Sequence, residues 1–247
     1  MLSAMPHPDD VDSRAPQAFE SVLAWADAQI LEGRITVGDR LPPERELAAS
    51  LEVSRAAVRE AIRTLQAQGV VRSSVGAGAA GGTVVTNVPS QALSRLLRLH
   101  VALANFPLPD AIEVRIALER LSARLAARNA TADQLEAARL ALEVMDDPDV
   151  DRRSFNDADT AFHVALAMAA GNRLATDLTV AIRESMRLPI LDRFRRLDEW
   201  DRVVEGLRRD HAAIFAAICR GEADEAEMLV ETHIRSAWRA LEPAAGT

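Results

Sequence analysis

The sequence predicts a mainly α protein: an N-terminal winged helix-turn-helix followed by an antiparallel all-helical bundle. Three observations lead there. Ala and Leu dominate while aromatics make up 4% and tyrosine is absent, a composition that favours helices over sheets. Residues 40–71 hold two short amphipathic patterns that meet at a tight turn around Glu52-Val53-Ser54, with a Gly-rich hairpin beyond. From Asp110 onward no strand pattern occurs, and helical patterns follow one another between short breaks.

Residues 1–16, with Asp9, Asp10, Asp12 and three prolines, are expected to be a disordered tail. They lack the basic start and apolar middle of a signal peptide. Residues 17–86 form the first domain. Phe19, Val22, Leu23, Trp25, Ala26 and Ile30 lie on a helix that buttresses the rest. The next helix starts near Pro43, where a missing N–H costs little, and Leu47, Ala48 and Leu51 are its apolar stripe. Ser54 is placed to cap the following helix through its hydroxyl. On that helix Val58, Ala61, Ile62 and Leu65 fall in one arc, and Arg55, Arg59 and Arg63 in the adjacent one. Gly69 ends it as a C′ glycine, and residues 75–80 form the wing. This is the layout that puts one helix into the major groove of DNA. A solvated amphipathic helix also carries arginines at this spacing; the turn, the cap and the wing weigh against that reading. Residues 87–107 are a linker whose helix is capped by Ser90 and broken at Phe106-Pro107-Leu108-Pro109. Residues 108–243 form the bundle, with helices expected near 110–128, 132–146, 153–170, 173–188, 199–220 and 223–241.

The formal net charge is −8 and all 29 basic residues are arginine. Residues 19–86 hold seven Arg against eight Asp and Glu, so contact with a polyanion has to rest on a local arginine face. The single cysteine, Cys219, sits in an apolar helical stretch and is expected to be a small core residue. No apolar run approaches a membrane span, and the expected location is the cytoplasm.

Asp159 and His163 are four residues apart, so both project from one face of one helix, a sound two-point grip for a metal. His211 and His233 lie on later helices, and bundles build metal sites by converging such positions. Each residue also has a plainer reading: a satisfied core histidine, a solvated acid, an exposed ring. Sequence spacing leaves the two readings open.

The stretch Leu41-Pro42-Pro43-Glu44-Arg45-Glu46-Leu47-Ala48, then Val53-Ser54-Arg55, Val58-Arg59-Glu60-Ala61 and Gly81-Gly82-Thr83-Val84-Val85 resembles the DNA-binding signature of the GntR family of bacterial transcription regulators. The resemblance implies DNA contacts at Arg45, Arg55 and Arg59, and a wing tip, around Gly76, that reaches into the minor groove. Ser54 and Arg63 complete the candidate set. Val75–Ala80 has no basic or histidine side chain, so a wing contact has to come from the backbone. Asp159-Thr160-Ala161-Phe162-His163, Asn172, His211-Ala212-Ala213-Ile214, Gly221 and His233 resemble the FCD ligand-binding domain of FadR-like members. That implies a divalent ion held by Asp159, His163, His211 and His233, and effector contacts at Arg115 and Asn172. Arg115 and Glu119 match an Arg-x-x-x-Glu pattern of the same domain; an ordinary i, i+4 surface pair is the plainer reading of them. Asp210 stands where the family usually has Glu.

Three imidazoles and a carboxylate suit Zn²⁺ best, with Ni²⁺, Mn²⁺ and Fe²⁺ as alternatives. The expected protein is a homodimeric, ligand-responsive repressor of a palindromic double-stranded operator, with a small organic acid as effector and no membrane partner. The rival is a metal-dependent hydrolase with a DNA-docking N-terminal module, although no nucleophile–base pair supports it. A constitutive architectural DNA-binding protein is a third reading, which the acidic bundle with its candidate cavity disfavours.

Overall fold

The computed structural model describes residues 14–74, 82–86, 90–103 and 106–241. Gly76 and the rest of the expected wing tip fall outside them. The chain divides after Ala92 into two compact units.

In the first unit α1 (Arg14–Leu31) starts three residues inside the stretch expected to be a tail. It is followed by α2 (Glu44–Ser50), α3 (Arg55–Ala67), β1 (Val71–Ser74) and β2 (Gly82–Val85). Val22 of α1, Leu47 and Ala48 of α2, and Val58, Ala61 and Ile62 of α3 form one buried cluster. Leu65 and Ala26 join Leu41, Val71 and Val85 in a second. The strands pair antiparallel, Val71 opposite Val85 and Ser74 opposite Gly82. The turn between α2 and α3 takes its shape from Glu52, the only non-glycine with positive φ (54°) among the described residues. Gly69 adopts φ 75° just past α3, as its expected C′ role requires.

The second unit begins within α4 (Ser90–Ala102), which spans the boundary between the two. It continues with α5 (Leu108–Asn129), α6 (Ala132–Asp146), α7 (Arg152–Ala169), α8 (Arg173–Arg195), α9 (Trp200–Cys219) and α10 (Ala223–Leu241). Thr131 and Gln134 make a reciprocal capping box on α6, and Asp151 caps α7 with two backbone bonds. The core draws Ile116, Phe155, Phe162, Met186, Ile214 and Ile234 from five of these helices. The expected helix bounds hold within about two residues except at α8, which runs through Pro189 to Arg195 instead of stopping at 188. Proline removes one backbone hydrogen bond, but Leu191 and Phe194 beyond it are buried. Arg152 also donates to the carbonyls of Arg195 and Leu197, so packing and capping carry the helix past the proline. Cys219 corrects a second expectation: it is exposed, because it closes α9 on the side away from Ala217 and Ile218, which are buried.

Candidate DNA-binding face and metal centre

Ser54 caps α3 by accepting a hydrogen bond from the Ala57 amide at 3.1 Å. The cap fixes where the helix starts, and the buried arc of Val58, Ala61, Ile62 and Leu65 fixes its rotation. Arg55, Arg59 and Arg63 are then exposed beside it, as is Arg45 on α2. Arg63 is shared with Glu60 at 3.2 Å across an exposed turn, a weak pair. Arg72 on β1 is also exposed; one arginine in a four-residue strand had no periodicity to mark it.

In the second unit, one ligand atom from each of Asp159, His163, His211 and His233 lies within 4.8 Å of the others, and all four residues are buried. Asp159 Oδ1 is 3.0 Å from His211 Nε2 and 3.8 Å from His163 Nε2. The two Nε2 atoms are 3.2 Å apart. Donors around a tetrahedral ion with bonds of about 2.0–2.1 Å stand roughly 3.3 Å from one another, so the set fits a divalent cation. The far sides of the rings fit as well. His163 Nδ1 is 2.7 Å from Glu119 Oε2, and His233 Nδ1 is 3.3 Å from Asp210 Oδ2. A carboxylate on Nδ1 holds the proton there and leaves Nε2 as the donor. His211 Nδ1 is buried without a partner.

Arg183 of α8 ties the carboxylates together. It donates to both oxygens of Glu119 and to Asp159 Oδ2, each at 2.7 Å. Arg115 Nε reaches Glu119 Oε1 at 2.8 Å. Burial opposes ionisation of Glu119 and Asp159, but the Arg183 guanidinium, joined by Arg115 and His163 at Glu119 and by His211 and His163 at Asp159, outweighs it and holds both well below the usual carboxylate range. Arg183 itself is raised, since the same two carboxylates overcome its burial. Burial, then the Arg183 charge, pushes His163 well down. Burial, with His233 beside it, brings His211 to about 4. Both rings are therefore neutral near pH 7, the form that ligates metals.

Sequence reasoning missed Arg183 and the role of Asp210. Arg183 carries no local signature, since its partners lie 64 and 24 residues away. Asp210 precedes His211, but only the fold shows it against His233. Arg115 pairs with Glu119 as expected, though buried rather than on the surface, and it faces a cavity of about 20 Å³ shared with Asp159 and His233. Asn172, expected as an effector contact, is exposed, and its Oδ1 accepts from the Ala175 amide at 3.1 Å as the N-cap of α8. Asn immediately before a helix is among the strongest caps, and its Nδ2 remains a donor.

Residues 20–80 match the family described as bacterial regulatory proteins, gntR family, and residues 110–236 match the FCD domain. The chain is 33% identical to the HTH-type transcriptional regulator LutR of Bacillus subtilis, over 83% of this chain and 92% of that protein. It is 30% identical to the galactonate operon transcriptional repressor of Escherichia coli, over 90% and 96%. It is also 30% identical to the repressor NanR of Klebsiella aerogenes, over 90% and 85%. Among solved structures, a GntR protein of Streptococcus agalactiae superposes with a TM-score of 0.57 at 26% identity, covering 90% of this chain and 99% of that one. The signature on α2 and α3, the helical domain behind it and these relatives agree: the chain belongs to the GntR family of bacterial regulatory proteins and carries an FCD domain.

Proposed function

We propose that this DNA-binding regulator is a repressor that acts as a homodimer on a palindromic operator and is controlled by a small organic acid. The observation that carries the reading is the presence, in one chain, of an exposed arginine face on a capped helix and a buried Asp–His₃ cluster beside Arg115. Arg55 and Arg59 read base edges and Arg45 anchors phosphate. Asp159, His163, His211 and His233 hold one divalent ion, with Zn²⁺ as the best match to the donors. When bound, the ion supplies a positive charge that attracts an acidic effector. Glu119 and Asp210 orient the imidazoles, and Arg115 offers its guanidinium to a carboxylate. Paired heads on one operator must match the roughly 34–36 Å spacing of successive major-groove faces, so a small change in spacing releases DNA.

Repression is the printed role of two of the relatives, which supports that sign of control. The hydrolase alternative gains nothing from the site: Glu119, which could serve as a base, is committed to Arg183, Arg115 and His163. The test is a thermal-shift screen of organic acids on the isolated protein, the chelated protein and Arg115→Ala. Acids should stabilise the first most, and the best of them should release operator DNA. A neutral or cationic molecule as strongest stabiliser, or equal response in all three proteins, overturns the sensing half.

A further inference from the structure

The cavity beside Arg115, Asp159 and His233, at about 20 Å³, takes about one water. An organic acid with several carboxylate and hydroxyl groups needs a far larger space. Its entry requires part of the wall to move, and the surrounding clefts show which part. A cleft of about 650 Å³ shares Leu241 with the cavity. One of about 410 Å³ shares Trp238 and Ile112, and one of about 200 Å³ shares Ala237 and Leu207. In each of these three clefts a residue from the end of α10 borders the cavity, joined by Ile112 of α5 in one and Leu207 of α9 in another, and no other helix borders all three.

Arg193 of α8 bonds to that end, and Arg235 within it is paired with Glu113 of α5 at 2.7 Å. Arg193 lies with its guanidinium 4.2 Å from the centre of the Trp238 ring. Its Nη1 donates to the Leu241 carbonyl at 2.9 Å. The carbonyls of a last helical turn have no partner within the helix, so this bond is a side-chain cap that another hydrogen-bond acceptor can replace.

We propose that the last two turns of α10, residues 234–241, are a lid over the buried cluster, latched by Arg193 and opened by an anion that takes the guanidinium from the Leu241 carbonyl. The proposal deepens the effector reading and rests on it for the identity of what enters; the movement itself is tested without metal. In a Cys219→Ser background, Ile234→Cys puts a thiol on the cavity wall, with Ala237→Cys as a second position. Ethyl methanethiosulfonate should modify it slowly in the metal-free full chain. Arg193→Gln or Trp238→Leu should raise that rate tenfold or more, and Arg139→Gln, on the exposed face of α6, should not. Rates within twofold of the parent in both latch variants overturn the lid. In a second arm the full chain is loaded with zinc and stripped by EDTA. Release should quicken in Arg193→Gln while the zinc held at equilibrium is unchanged; unaltered release counts against the lid. A chain that holds no zinc overturns the metal reading instead, and the thiol arm still decides the lid.

Discussion

Arg183 sets the charge balance of the bundle interior. Two buried carboxylates, Glu119 and Asp159, share its guanidinium; Arg115 supports Glu119 as well, but Asp159 has no other arginine partner among the described residues. Removing one partner of a buried ion pair costs about 3–5 kcal/mol. Arg183→Met should therefore lower the stability of metal-free protein by about that much in urea unfolding, and a loss below about 1 kcal/mol would contradict the network. His211 gives a pH prediction. Its unfolded value is about 6.5 and its folded value about 4, so the unfolded chain binds the extra proton between them. Stability is full above pH 6.5 and falls as pH drops to about 4, by about 3 kcal/mol from this ring. Urea midpoints of chelated protein at pH 7.5 and 4.5 measure it, and His211→Gln should flatten the difference. Asp159 and His163 were legible because four residues make one helical turn. Arg183 was not, being one arginine among 29 whose partners are brought by tertiary packing alone.

At the scale of the element, α3 shows how little holds a recognition helix in register. Its start depends on one bond, from the Ala57 amide to Ser54 Oγ, with no capping box behind it. Ser54→Ala should cost about 1 kcal/mol and should appear as faster amide exchange across residues 55–67 of the full chain. Unchanged exchange there would show that packing alone sets the start. The bundle helices were legible because each is punctuated: Thr131 and Asp151 open α6 and α7, and Gly171 and Gly221 follow α7 and α9 with positive φ. The end of α8 was not, because Pro189 is a strong local stop that the burial of Leu191 and Phe194 overrides.

For the whole molecule, a net charge of −8 means that DNA is met by a few arginines set in an acidic protein. Replacing a phosphate anchor should then be visible in the salt dependence. Arg45→Ala should weaken specific and scrambled DNA alike and reduce the log–log salt slope by about 1. Arg55→Ala and Arg59→Ala should cost about 1–3 kcal/mol on operator alone. Wild-type affinity and discrimination in the last two would remove them from the base-reading set. The two-part layout was legible from the change of pattern at Asn87-Val88-Pro89-Ser90, although α4 crosses the division the fold makes after Ala92.

Glu52, with its φ of 54°, is the acid nearest the start of α3 and stands in a backbone region that glycine and asparagine tolerate far better. Glu52→Asn should keep the turn and relieve strain, raising stability by a few tenths of a kcal/mol or more. With the proposed DNA contacts at Arg55 and Arg59, it would also delete a negative charge near the start of the same helix, so binding to DNA of any sequence should tighten. Operator and scrambled-DNA affinities should rise together and their ratio should stay the same, because a charge that reads no base acts on both alike. At this position a gain in heat resistance should come with tighter holding of DNA of any sequence.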